Sequence, residues 1–227
     1  MPHVSIPPQL VDAKATCVQL GMIRSESAQL RNVTWFHGKV NDFASPFDIG
    51  LATHLCGEAT DMAQALCLRH GAVFVLTPCC LGKIKHVLCE EEGQENSPDI
   101  VAKTPPVADT PPVVLTATTV ATDGPHDETA ATLTLSYPRS RWLQERMTKA
   151  DYMRLVRLSD FTQQASDAQV ASKRLMDTDR LAYAAEAGYD TVASTLWPLE
   201  ASPKHDVLLG APARHGLVAR MQQWTQR

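Results

Sequence analysis

The stretch FDIGLATHLCGEATD, Phe47 to Asp61, decides the fold class. Phe47, Ile49 and Leu51 alternate as strand residues do, and the apolar run stops at His54, Cys56 and Gly57. Beyond them Ala59, Met62, Ala63, Leu66 and Cys67 fall at i, i+3, i+4, i+7 and i+8, one stripe of a helix. Gly71 stops that helix. AVFVL, Ala72 to Leu76, is then an almost wholly apolar run of the kind found in a strand covered on both faces. Strand, helix, strand is a parallel crossover unit, so the carboxyl ends of its two strands share one edge of a sheet.

Ligands of open α/β sheets bind outside that edge. His54 and Cys56 leave the first strand there, and TPCCLGK brings Pro78, Cys79, Cys80 and Lys83 to the same rim from the second. Gly57 lets backbone approach a ligand closely, and the helix after it offers free N–H groups. For any one histidine or cysteine, packing is the commoner role. Two polar clusters at adjacent strand exits point instead to the mouth of a pocket. Zinc is the rival reading, with His54, Cys56, Cys79 and Cys80 as four ligands. The spacing argues against it, because structural sites use ligands paired two to four residues apart, and no metal site is assigned. Adjacent cysteines are also not the C-x-x-C redox arrangement.

The rest of the chain supports an α/β reading. Its 227 residues, 44% hydrophobic and 20% charged, suffice for one domain or a little more. A helix is predicted from Ala13 to about Leu30, and VTWF, Val33 to Phe36, is a strand. From Glu90 to Ser136 the composition turns to Pro, Thr and acids without helical period, which predicts a mobile insertion. TKAD, Thr148 to Asp151, is a capping box whose helix buries Tyr152, Leu155, Val156 and Ser159. A second helix runs from about Ala165 to Ala187, stopped by Gly188, and the end reads as an antiparallel hairpin. The organisation is therefore 1–89 and 137–212 as two parts of one domain, 90–136 as the insertion and 213–227 as a tail.

Charge and composition narrow the function. A net charge of −4 gives no global pull towards nucleic acid or anionic membrane, so neither DNA nor membrane is an expected partner. No apolar run reaches the ~20 residues of a spanning helix, and the N-terminus lacks the plan of a signal peptide. The six cysteines then read as intracellular thiols or metal ligands, and a cytoplasmic location is expected. Arg139, Arg141, Arg146, Lys149, Arg154 and Arg157 crowd one segment with Trp142 and Tyr152 between them. Such a run could touch RNA. It is more often a solvated helix face, and Glu145, Asp151 and Asp160 dilute it. None of the eleven glycines forms a G-x-G pair, so no phosphate-cradling fingerprint exists.

FDIGLATHLCGEATDMAQALC, FVLTPCCLGKI, YPRSR, MDTDRLAYAAEAGYDT and SPKHDVLLGAP fall in an order that resembles the methyltransferase-like domain of the glutathione S-transferase C-terminal domain-containing protein family. The H-x-C-G-x-x-T-D segment is also similar to that of a tRNA 2′-O-methyltransferase family. The resemblance runs from about Leu10 to Pro212, apart from the insertion. It implies a class I S-adenosylmethionine-dependent methyltransferase, with a Rossmann-like sheet, helices on both faces and the last strand antiparallel. QLVDAKATC then corresponds to the exit of the second strand, so the first strand and its glycine loop are missing from this sequence. On that implication Asp12 grips the cofactor ribose, Val40 packs on the adenine, and Asn41 or Asp42 lies near its amino group. His54, with Gly57 and Cys56, faces the methionine end, and Cys79 and Cys80 face the acceptor pocket. His54, Cys56, Cys79 and Cys80 are then the candidate catalytic residues. The methyl acceptor is unidentified, with RNA among the classes. Methyl transfer needs mainly an in-line approach of acceptor and sulfonium, so no catalytic triad is expected. Lacking the glycine loop, the chain alone is expected to bind S-adenosylmethionine weakly or not at all. The alternatives are a non-catalytic binding module of the same fold and a zinc-stabilised structural domain.

Overall fold

The computed structural model describes residues 7–81, 84, 135–160, 165–198 and 205–216. Most of the expected insertion, most of the tail, and Lys83 lie outside the described residues. Along the chain come β1 (Gln9–Asp12), α1 (Ala15–Ser27), β2 (Thr34–His37), β3 (Ile49–Thr53), α2 (Glu58–His70) and β4 (Val73–Thr77). Then follow α3 (Arg141–Gln144), α4 (Lys149–Leu158), α5 (Asp167–Glu186), β5 (Tyr189–Thr195) and β6 (Asp206–Pro212). Single 3-10 turns form at Val40–Asp42 and Ala213–His215.

The crossover unit forms as its periodicity requires. β3 and β4 pair in parallel, from Ile49 opposite Val73 to Thr53 opposite Thr77. Gly71 closes α2 in the left-handed conformation at φ 64°, where its N–H reaches the Leu68 carbonyl. β6 runs antiparallel to both β4 and β5, giving the order β3-β4-β6-β5. The final strand is therefore antiparallel, as expected. Because side chains alternate across a strand, Phe74 and Leu76 share one face, where they meet Cys67 of α2, Ala184 of α5, Tyr189 and Leu208. A second core joins Tyr152, Met153 and Val156 of α4 to Met176 of α5, Tyr137, Leu143, Leu81 and Ile84.

Two expectations need correction. The sheet is not single: β1 and β2 pair in parallel as a separate two-stranded sheet. Among the described residues, helices also do not cover both faces of the larger sheet evenly. α2 and α5 lie on the face of Phe74 and Leu76, whereas Ile49 and Leu51 on the other face of β3 are 52% and 74% exposed. The stripe expected on α2 is likewise only part of what it buries. Thr60, Asp61 and Gln64 are buried beside Leu66 and Cys67, because α5 packs along that side and carries Arg180. The general class, mixed α/β with open sheets, stands.

The helix starts follow their caps. Thr148 accepts the Asp151 N–H at 3.1 Å, and Ser166 accepts that of Gln169 at 3.3 Å. α4 buries Tyr152, Met153 and Val156, with Ser159 just beyond its end, and leaves Leu155 half-buried.

Candidate functional site

The exits of β3 and β4 meet at one edge. The His54 N–H donates to the Thr77 carbonyl at 3.1 Å, and the Gly57 N–H donates to the Cys80 carbonyl at 2.9 Å. The Thr60 hydroxyl turns back to the Leu55 carbonyl. Gly57 caps α2 at φ 62° and ψ −131°, a conformation that side-chain-bearing residues rarely adopt. These backbone contacts bring three side chains together. The Sγ atoms of Cys56 and Cys79 lie 3.2 Å apart, those of Cys79 and Cys80 lie 3.9 Å apart, and all three fall within 4.8 Å of one another. Each of the three residues is half-buried.

His54 joins this edge through its backbone. It sits at φ 57°, its side chain is exposed, and its carbonyl accepts the Cys56 thiol at 3.7 Å. Burial raises the pKa of Cys79, and hydrogen bonding to Cys56 raises it further. Burial, hydrogen bonding to Cys56 and the charge of Cys79 push the Cys80 thiol up to about 12. Cys67, deeper in α2, is also pushed up to about 12, chiefly by burial.

The other candidates form a separate neighbourhood at the carboxyl ends of β1 and β2. Asp12 ends β1 opposite His37, and its Oδ1 accepts the Lys14 N–H at 2.7 Å, at the start of α1. Val40, Asn41 and Asp42 make the 3-10 turn after β2, with Asp42 Oδ2 accepting the Lys39 N–H at 3.1 Å. Asn41 Oδ1 is buried and has no hydrogen-bond partner among the described residues. That turn packs against α2.

The basic segment divides into buried and exposed members. Arg139 is buried, its guanidinium 4.1 Å from the Tyr183 ring centroid and 3.9 Å from an Asp61 oxygen. Arg141 pairs with Glu186, Arg154 with Asp151, and Arg146 lies over the Trp142 ring. Residue spacing alone also missed a buried polar network. Asp61 accepts from Arg180 Nε and Nη2 at 2.8 and 3.1 Å and from the Tyr137 hydroxyl at 3.0 Å. Asp179 accepts the N–H groups of Arg139 and Ser140 at 2.7 and 2.9 Å, and the Ser140 hydroxyl. Lys173 bridges Asp177 and Asp206. Burial works against the Arg180 cation, but Asp61 and Asp177 carry its pKa above the usual value. Burial raises that of Asp179 against its hydrogen bonds from Ser140 and Arg139. The signal was present in YPRSR and MDTDR, which put charged residues among core positions.

No described helix is long and apolar enough to cross a membrane. No family model matches the chain, and no solved structure matches it. It is similar to the glutathione S-transferase C-terminal domain-containing protein of Xenopus laevis, 26% identical over 208 residues, covering 89% of this chain and 25% of that protein. The Mus musculus protein of the same name is 24% identical over 208 residues, covering 89% of this chain and 26% of the relative. The Drosophila melanogaster homologue is 24% identical over 210 residues, covering 88% and 28%. The chain thus spans about a quarter of the length of these relatives. Their names agree with the family that the motifs resemble. They also overturn one expectation: the relatives carry the name of a glutathione S-transferase C-terminal domain, so methyltransferase and S-adenosylmethionine do not describe this chain through its relatives.

Proposed function

We propose that this chain is a non-catalytic ligand-binding module, whose site is the three-thiol cluster at the carboxyl edge of β3 and β4. The observation that supports the reading is the convergence of Cys56 with Cys79 and Cys80 across 23 positions of sequence. The edge is the one where open α/β sheets bind ligands. The attacking form of a cysteine is its thiolate. Burial is the first cause that holds Cys79 and Cys80 above their ordinary pKa, which disfavours that nucleophilic form.

Phenylarsine oxide tests the site, because trivalent arsenic bonds two neighbouring thiols at once and releases water. The 227-residue chain should take up one arsenical that survives excess monothiol. Cys79→Ser with Cys80→Ser, which leaves Cys56 as the one thiol of the cluster, should abolish this capture, and Cys17→Ser, at an exposed cysteine, should not. Capture that persists in that double variant would show that the cluster is not the site. Transfer of labelled methyl from S-adenosylmethionine to RNA or protein, lost in Asp12→Ala or Cys79→Ser, would overturn the non-catalytic part of the reading.

A further inference from the structure

We infer that Cys56, Cys79 and Cys80 together hold one soft d10 metal ion, of the Zn²⁺ or Cu⁺ class, each thiol releasing its proton to solvent as its sulfur bonds the metal. This rests on the reading of that cluster as the binding site. A metal with sulfur ligands at about 2.3 Å places those sulfurs about 3.8–4.0 Å apart in tetrahedral or trigonal geometry. The separations of 3.2 and 3.9 Å, and the 4.8 Å limit on all three, bracket that figure. Thiolate sulfur selects soft cations over magnesium or calcium.

The site is built before any ion enters. Gly57 N–H to Cys80 carbonyl and His54 N–H to Thr77 carbonyl join the two loops through backbone alone. Cys79 and Cys80 are consecutive, and adjacent cysteines seldom serve one metal. Here the loop turns both sulfurs to the same side, 3.9 Å apart, towards Cys56. The His54 imidazole stands outside the cluster, so among the described residues Cys56, Cys79 and Cys80 supply the ligands, each half-buried.

The test strips the reduced 227-residue chain with a chelator and titrates it anaerobically with Co²⁺, then with Zn²⁺. One equivalent of Co²⁺ should give thiolate-to-cobalt charge-transfer absorption, which Zn²⁺ then displaces. X-ray absorption of the zinc form should show at least three sulfurs at about 2.3 Å. Cu⁺ delivered from a competing chelator separates the two ions by their relative uptake. Cys56→Ser and Cys80→Ser should each weaken uptake by more than the roughly 10–100-fold that loss of an outer partner costs. Cys17→Ser should leave it unchanged, and circular dichroism confirms that each variant is folded. Uptake that is absent, or that persists in folded Cys56→Ser, overturns the inference. Arsenical capture without metal uptake would overturn the metal site and leave the thiol-site reading standing. Loss of both overturns both.

Discussion

Arg180→Met is the perturbation whose outcome the structure specifies most closely. Asp61 is 0% exposed and takes two hydrogen bonds from the Arg180 guanidinium, at 2.8 and 3.1 Å. Removing the cation leaves that carboxylate with the Tyr137 hydroxyl at 3.0 Å and with Arg139, 3.9 Å away. It also strips the 3.2 Å contact of Arg180 Nη1 with Asp177. Breaking a buried ion pair from one side costs about 3–5 kcal/mol, because a charge is left desolvated. Two partners remain to Asp61, so the lower end, about 3 kcal/mol, is expected. Asp61→Asn with Arg180→Met removes the orphaned charge along with its partner. The double variant should therefore be more stable than the two single costs add to, by about 1–3 kcal/mol. Urea unfolding followed by circular dichroism reads this as shifts of midpoint at constant slope. A cost below about 1 kcal/mol for Arg180→Met, or additivity within about 0.5 kcal/mol, would refute the network as the tie between α2 and α5.

Three further outcomes follow from single sites. Thr148 accepts the Asp151 N–H and donates to its carboxylate at 2.7 Å, so Thr148→Ala should cost about 1 kcal/mol in the same urea assay. Gly57→Ala forces a methyl into a conformation reserved for glycine, at about 1–3 kcal/mol, and should reduce arsenical capture by the chain. Burial lifts the Cys67 thiol from 9.0 to about 12, so its contribution is complete below about pH 9 and is lost as pH rises towards 12. Between pH 8 and pH 10 the wild type should lose about 1.4 kcal/mol more than Cys67→Ala, and equal losses would contradict the burial account.

What could be read from sequence was whatever depends on neighbours along the chain. The alternation of Phe47, Ile49 and Leu51, the cap at Thr148 and the stop at Gly71 each state their own geometry. The parallel crossover then places Cys56 beside Cys79, and the two meet at 3.2 Å. What periodicity could not supply was the identity of the facing surface. An apolar stripe on α2 takes no account of Asp61 and Gln64, which are buried because α5 brings Arg180 against them from more than a hundred residues away. The split between the two sheets was hidden for a related reason. β1 and β2 have four residues each, too few for alternation to say which strand, if any, lies beside them. The exposed Ile49 and Leu51 carry the same lesson, since an apolar strand residue implies burial only when something covers its face.

The polar network and the thiol cluster are parts of one arrangement, linked through the first turn of α2. Asp61 lies four residues beyond Gly57, so the ion pair that holds it also fixes the helix end from which the Cys56 loop departs. Rotation of α2 by one residue would carry Asp61 away from Arg180, Gln64 away from the Arg180 carbonyl, and Gly57 away from the Cys80 carbonyl. Apolar contacts along α2 tolerate small slippage, whereas a buried carboxylate with three directed donors accepts one position. Desolvation makes such a network a weak source of net stability. Its effect here is on placement: α2 has one register on α5, and that register sets where Cys56 stands relative to Cys79 and Cys80.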